Sequence, residues 1–145
     1  MSARVHIDVA AGILVDREQR ILIGERPASA KHSPNFWEFP GGKLEPGEDA
    51  VTALVRELEE ELGVAAITAE WLTTRHHSYA ERDVTVHFFK VLAWQGRPQS
   101  IEGQRLEWVS LKTLPTYRLL PADVPLAEQL GELLALPTKR QLTDE

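Results

Sequence analysis

A chain of 145 residues with 43% hydrophobic and 26% charged content has the length of one domain and enough apolar material for a core. Its 22 acidic and 16 basic residues leave a formal charge of -6, which argues against a general nucleic-acid-binding surface and requires local cations for any polyanionic ligand. The chain has no cysteine, so no disulfide framework or thiol chemistry, as fits a reducing cytoplasm; it also has no apolar run of membrane-spanning length, and its N-terminus MSARVHIDVA lacks the apolar stretch of a signal peptide.

Val5 to Val15 is rich in Val, Ile, Leu and Ala and predicts a strand. After the polar turn Asp16-Arg17-Glu18-Gln19, Arg20 to Gly24 predicts a second strand, pairing with the first as a hairpin. Pro27 to Pro34 reads as a loop, and Phe36 to Phe39 as a short aromatic segment leading to Pro40-Gly41-Gly42. Pro46-Gly47 is a turn signal. A helix is predicted from about Glu48 to Leu62, with acids at its positive end and Gly63 as a left-handed cap. Its apolar stripe is Val51, Leu54, Val55, Leu58 and Leu62. Strands are predicted over Ile67 to Thr74 and Val84 to Trp94, with Arg75 to Asp83 as a polar loop carrying solvated His76 and His77. Leu106 to Val109 predicts a short strand, with Ser110 capping a helical turn. Leu126, Leu130, Leu133 and Leu134 mark a second helix. The expected organisation is one domain over 1–136 and a polar tail over 137–145.

The most informative segment is GKLEPGEDAVTALVRELEEELGV, Gly42 to Val64. Glu57, Glu60 and Glu61 stand at i, i+3 and i+4, one side of a helix. Carboxylates that close repel one another when ionised, and a hard cation relieves them. Mg²⁺ takes oxygen ligands, keeps some of its water and sits between carboxylates and substrate phosphates. The spacing therefore points to a metal-dependent phosphate enzyme. The alternative, a Glu-rich solvated helix, is common for Glu60-Glu61 alone and rare for the whole pattern.

The segment resembles the Nudix box: Gly42, Glu48, Arg56, Glu57, Leu58, Glu60, Glu61, Gly63 and Val64 each match a specified position. Beyond the box, Ile21-Leu22-Ile23, Arg26, Trp37 to Lys43, Glu102-Gly103-Gln104, Glu107-Trp108-Val109 and Pro121-Ala122-Asp123 resemble the MutT branch, which hydrolyses nucleoside triphosphates to monophosphate and pyrophosphate. The resemblance spans roughly residues 4 to 135. It implies an α/β (α+β) Nudix fold, a mixed sheet sandwiched between helices. It also implies a Mg²⁺ cofactor, with Mn²⁺ as a substitute. The metal ligands would be the carbonyl of Gly41 and the carboxylates of Glu57, Glu60 and Glu61, one of which, Glu57 among them, could instead activate water. Glu102 would approach from a loop. Arg26, Lys43 and Arg82 would meet phosphate or sugar, while Gly42, Glu48 and Arg56 would support the loop on the helix.

The chain departs from the purine-reading MutT proteins at Asp123, where they carry an Asn that reads oxidised guanine. Ionised Asp only accepts hydrogen bonds; burial could restore a donor by raising its pKa. A Pro-Ala-Asp-aliphatic-Pro-Leu segment also resembles CTP pyrophosphohydrolases. Asp is equally a favoured cap for the helix that follows. Oxidised guanine nucleotides such as 8-oxo-dGTP are the first expectation, and CTP or modified cytidine triphosphates the second. ADP-ribose or dinucleoside polyphosphate hydrolysis and a non-catalytic nucleotide-binding module are further alternatives. Phe36, Trp37, Tyr79 and Phe88 could stack on a base, although most aromatics are core. The expected partner is the nucleoside triphosphate alone, with no nucleic acid or membrane, and the protein a monomer or homodimer.

Overall fold

The structure, a computed structural model, describes residues 4–135. The expected tail over 137–145 lies outside the described residues. Strands β1 (Val5–Leu14), β4 (Gly41–Lys43), β6 (Glu70–Ser78) and β7 (Arg82–Val91) form a sheet ordered β4-β1-β7-β6. β1 and β7 run parallel and the other pairs antiparallel, so the sheet is mixed. A second, antiparallel sheet is ordered β3-β2-β9, from β2 (Arg20–Glu25), β3 (Trp37–Glu38) and β9 (Arg105–Ser110). Short β5 (Ala65–Ala66) and β8 (Trp94–Gln95) pair with each other.

Successive strand residues point to opposite faces, and both faces are covered. Phe88 and Ile13 pack with Leu126 and Leu130 of α2 (Val124–Ala135). Phe89, Leu14 and Val91 pack with Leu54, Leu58 and Leu62 of α1 (Ala50–Leu62). The result is the expected sheet between helices. No helix is long and apolar enough to cross a membrane among the described residues.

Several local expectations need correction. β1 and β2 do not form a hairpin; they meet only in the isolated bridge Val15↔Ile21. Both edges of β1 are occupied, by β4 and by β7, which sends β2 to the other sheet. Arg75 to Asp83 is not a loop. β6 runs to Ser78, β7 starts at Arg82, and the polar side chains bond across the strands, His76 Nδ1 to Thr85 Oγ1 at 2.9 Å and Ser78 Oγ donating to Asp83 at 2.8 Å. In the helix, Val51 and Val55 are 38% and 40% exposed, and Ala53 is buried in their place. α1 also starts later than Glu48, at Ala50, because Asp49 caps it by accepting from Thr52 N–H at 2.8 Å. The left-handed cap at Gly63 is present, φ 71°. Ser110 caps the single turn after it, its hydroxyl accepting from Thr113 N–H at 3.1 Å ahead of a 3₁₀ turn over Leu114–Thr116.

Candidate active site

Burial of Leu54, Leu58 and Leu62 against the sheet turns Glu57 and Glu61 towards β4. The two glycines there have specific steric reasons. A Cβ on Gly41, φ 153°, would sit 2.0 Å from the Ala10 carbonyl oxygen. A Cβ on Gly42 would lie 2.4–2.6 Å from the carboxyl atoms of Glu57. Backbone and acid therefore meet at a distance only glycine allows. The freed N–H of Gly41 donates to the Glu61 carboxylate.

These groups open onto a cleft of about 730 Å³. It brings together Gly41, Gly42, Lys43, Glu57, Glu61 and Glu102 with Arg26, Arg82 and Asp123. Its apolar wall comes from Ile7, Val9, Val84 and Val86 on the central strands β1 and β7. Glu60 is not among the cleft residues: it is exposed, and its carboxylate lies 3.2 Å from Arg56 Nη1. Arg56 grips Glu48 through Nε at 2.8 Å and Nη2 at 2.9 Å, and Nη2 also donates to the Lys43 carbonyl at 3.1 Å. Through these bonds Arg56 joins the loop to the helix, and Nη1 reaches Glu57 at 3.0 Å.

The site crowds carboxyl groups. Burial, then Glu38, Glu57 and Glu102, push Glu61 up to about 9, against the Gly41 N–H. Burial raises Glu57 as well, opposed by Arg56. Asp123 is pushed up to about 8 by burial and then by Glu38, opposed by the Phe39 N–H. Asp123 feels Glu38 but none of the helix carboxylates, whereas Glu61 feels both. Glu38 thus stands between an acidic end and an Asp123 end. Its side chain bonds Arg26 Nη1 at 3.3 Å, and burial raises it. The Asp123 carbonyl starts α2 by accepting from Ala127 N–H at 3.0 Å, while its carboxyl turns to Phe39 and the cleft.

The remaining predicted contacts are distributed unevenly. Arg82 lies with its guanidinium 5.1 Å from the Tyr79 ring centre, and its Nε is buried without a hydrogen-bond partner among the described residues. Tyr79 lines the cleft; Trp37 and Phe88 are core, and Phe36 lies under Arg118 at 4.1 Å. Glu38 and His32 line the cleft and carry no role in the sequence reading. Glu38 had a signal, an acid between buried Trp37 and Phe39 on a strand. His32, in a polar loop, had none.

The NUDIX domain family pattern matches residues 6–130. The chain belongs to the Nudix family. It is 40% identical over 129 residues to the CTP pyrophosphohydrolase of Escherichia coli K12, covering 89% of this chain and 94% of the relative. It is 37% identical over 127 residues to the 8-oxo-dGTP diphosphatase of the same organism, covering 88% and 98%. The solution structure of the E. coli ORF135 protein superposes with a TM-score of 0.78 at 39% identity, over 91% of this chain and 93% of that one. The fold and the Nudix nucleoside triphosphate pyrophosphatase class expected from the box are both upheld.

Nudix hydrolases typically depend on a divalent metal. Among the described residues no three His, Cys, Asp or Glu groups are assembled into a cage for an ion. The donor chemistry nevertheless fits a hard cation. Glu57, Glu61 and Glu102 offer only oxygen and face a cleft with room for water, and the charge of Glu102 raises the proton affinity of both Glu57 and Glu61. Mg²⁺ keeps several waters and needs one or two carboxylates rather than a full cage.

Proposed function

We propose that this Nudix protein is a Mg²⁺-dependent pyrophosphohydrolase that converts nucleoside triphosphates, oxidised guanine nucleotides first, to monophosphate and pyrophosphate. The observation that carries the reading is a single cleft with the Glu57–Glu61–Glu102 acids at one part, Asp123 at another and Arg26, Lys43 and Arg82 along it. A nucleotide has the same polarity, phosphates at one end and base at the other.

In the proposed reaction, water attacks the β-phosphorus. The bond from that phosphorus to the oxygen bridging to the α-phosphate breaks; that oxygen leaves with the monophosphate, and the water oxygen ends in pyrophosphate. Bound metal would lower the pKa of water and neutralise phosphate charge. Glu57, Glu61, Glu102 and the Gly41 carbonyl are its proposed holders, Glu60 a ligand only if it leaves Arg56. If Glu57, held by Arg56 against Gly42, does not bind the metal, it would instead orient the attacking water or take its proton. Arg26, Lys43 and Arg82 hold the phosphates and sugar. Catalysis is then largely positioning and electrostatics, as in phosphoryl transfer generally.

Asp123 decides the base. With its proton retained near neutral pH, its carboxyl offers a donor beside an acceptor, the pattern of an Asn side chain. It can donate to O6 of 8-oxoguanine and accept from N7–H; ordinary guanine presents two acceptors on that edge. The same acid can donate to N3 of cytosine and accept from its amino group, and the 40% identical relative is a CTP pyrophosphohydrolase. Cytidine triphosphates are therefore the second reading. The deciding experiment is catalytic efficiency with Mg²⁺ over 8-oxo-dGTP, dGTP, CTP, 5-methyl-dCTP and ADP-ribose, with product analysis. Oxidised guanine leads the panel and releases pyrophosphate if the first reading holds. Cytidine nucleotides in the lead replace it with the second, and ADP-ribose cleavage or no turnover overturns both.

A further inference from the structure

The loop between β2 and β3 folds over the cleft, with Pro27, Ala30, Lys31 and His32 lining it. It is pinned from inside the site. Arg26 Nε donates to the His32 carbonyl at 3.0 Å, Arg26 N–H to the Phe36 carbonyl at 2.8 Å, and Asn35 N–H to the Arg26 carbonyl at 3.1 Å. Ser33 and Asn35 take left-handed backbone, φ 50° and 65°, to turn the loop back. The position of His32 is thus set by an arginine that itself lines the cleft.

Cations gather around His32. Arg82 from β7 acts on it most among the charged groups, then Arg26 at the end of β2, Lys31 in the same loop and Lys43 at the end of β4. Acids line the same cleft, among them Glu81 on the turn before β7 and Glu38, which is bonded to Arg26 at 3.3 Å. Four cations from four segments converge on one solvent-accessible ring. Like charges gathered this way in a protein of net charge -6 define where a polyanion sits.

We propose that His32 is a substrate-contacting residue that completes a cationic ring around the polyphosphate chain and binds it as the imidazolium. The proposal rests on the reading of the cleft as a triphosphate site. In the free protein the four cations hold the imidazole below its ordinary range, Arg82 foremost. A bound triphosphate reverses the sign of the local field, so the ring takes up a proton as substrate enters. His32 adds affinity on the acid side of neutrality and loses it as pH rises.

The test uses the full chain and H32Q, which removes the titration while keeping a polar side chain. KM and kcat are measured with saturating Mg²⁺ from about pH 5.5 to 8.5, using the best triphosphate of the panel. Calorimetry in two buffers of different ionisation enthalpy follows binding of its non-hydrolysable α,β-methylene analogue. H32Q should raise KM about tenfold at the acid end, a charged hydrogen bond's worth, with kcat within about twofold. The two KM profiles should meet at the alkaline end, and proton uptake on binding should disappear. Superimposable KM profiles, or uptake that persists in H32Q, overturn the role of His32 in an enzyme that still turns over. A wild-type protein that hydrolyses no triphosphate overturns the reading of the site and this inference with it.

Discussion

Arg56 and Glu48 form a bidentate pair at 2.8 and 2.9 Å, eight residues apart across the start of the helix, and the same guanidinium reaches Glu57 at 3.0 Å. One side chain therefore joins the loop, the helix and an acid of the cleft. Its hydrogen bond, with that of the Glu45 N–H, holds Glu48 down at about 2, against 4.5 ordinarily. A depressed folded-state value stabilises the fold above the unfolded value, and this is lost as pH falls through the folded one. Glu48→Gln should therefore lower Tm at pH 7, and the gap to wild type should close between about pH 4.5 and about 2. Thermal melts across that range check it; a gap independent of pH would show that the pair's charge contributes nothing.

Gly42→Ala should fold and yet lose activity. Its Cβ would fall 2.4–2.6 Å from the Glu57 carboxyl, so the acid must move. Displacement of a catalytic group by about 1 Å can cost on the order of a hundredfold. Circular dichroism and kcat on the same preparation test this.

Glu61 is a buried acid raised to about 9 by its burial and its neighbours. A folded value above the unfolded one costs stability increasingly as pH rises from the unfolded to the folded value. Glu61→Gln should therefore raise Tm at pH 7 in EDTA. Mg²⁺ should raise the Tm of the wild type, because a ligand that binds only the folded state stabilises it, and should raise that of the variant far less. Turnover should stop in EDTA and return with Mg²⁺. Glu60→Gln should also fold and lose orders of magnitude in rate if Glu60 leaves Arg56 to join the metal; near-full activity would confine Glu60 to the surface pair.

For Asp123 the expected signature is a pH profile. Below about 8 the carboxyl is neutral and donates; above it, the carboxylate repels guanine O6. Catalytic efficiency with 8-oxo-dGTP should fall on the alkaline side in the wild type and stay level in Asp123→Asn. An alkaline limb unchanged in the variant would assign the titration to another group.

The acidic helix was legible because its chemistry is written at fixed helical spacing, Gly42 to Val64. Its Gly63 cap and the Glu48–Arg56 brace were readable for the same reason. Strand partners were not, because pairing is decided across distances that local pattern does not encode: β1 looks ready to turn back on β2, yet β7, far along the chain, takes its edge. Polar residues on a solvated sheet face read as loop, which hid β6 beyond Thr74. Glu60 was misplaced relative to the cleft because i, i+3 and i+4 share a helix side without sharing a neighbour. Arg56, at i-4 from it, claims that carboxylate.

β3 belongs to one sheet and β4 to the other, with only Phe39 and Pro40 between them. Glu38 rides on the first sheet and Gly41 on the second, so the two residues that link them act as the hinge pin of the crevice. Any splaying of the sheets must bend there, and it would change the separation between Glu38 and the glycines Gly41 and Gly42. Phe39 is buried and its N–H holds Asp123. The Asp123 end of the cleft and its carboxylate end are thereby coupled through a dipeptide whose aromatic ring is fixed in the core.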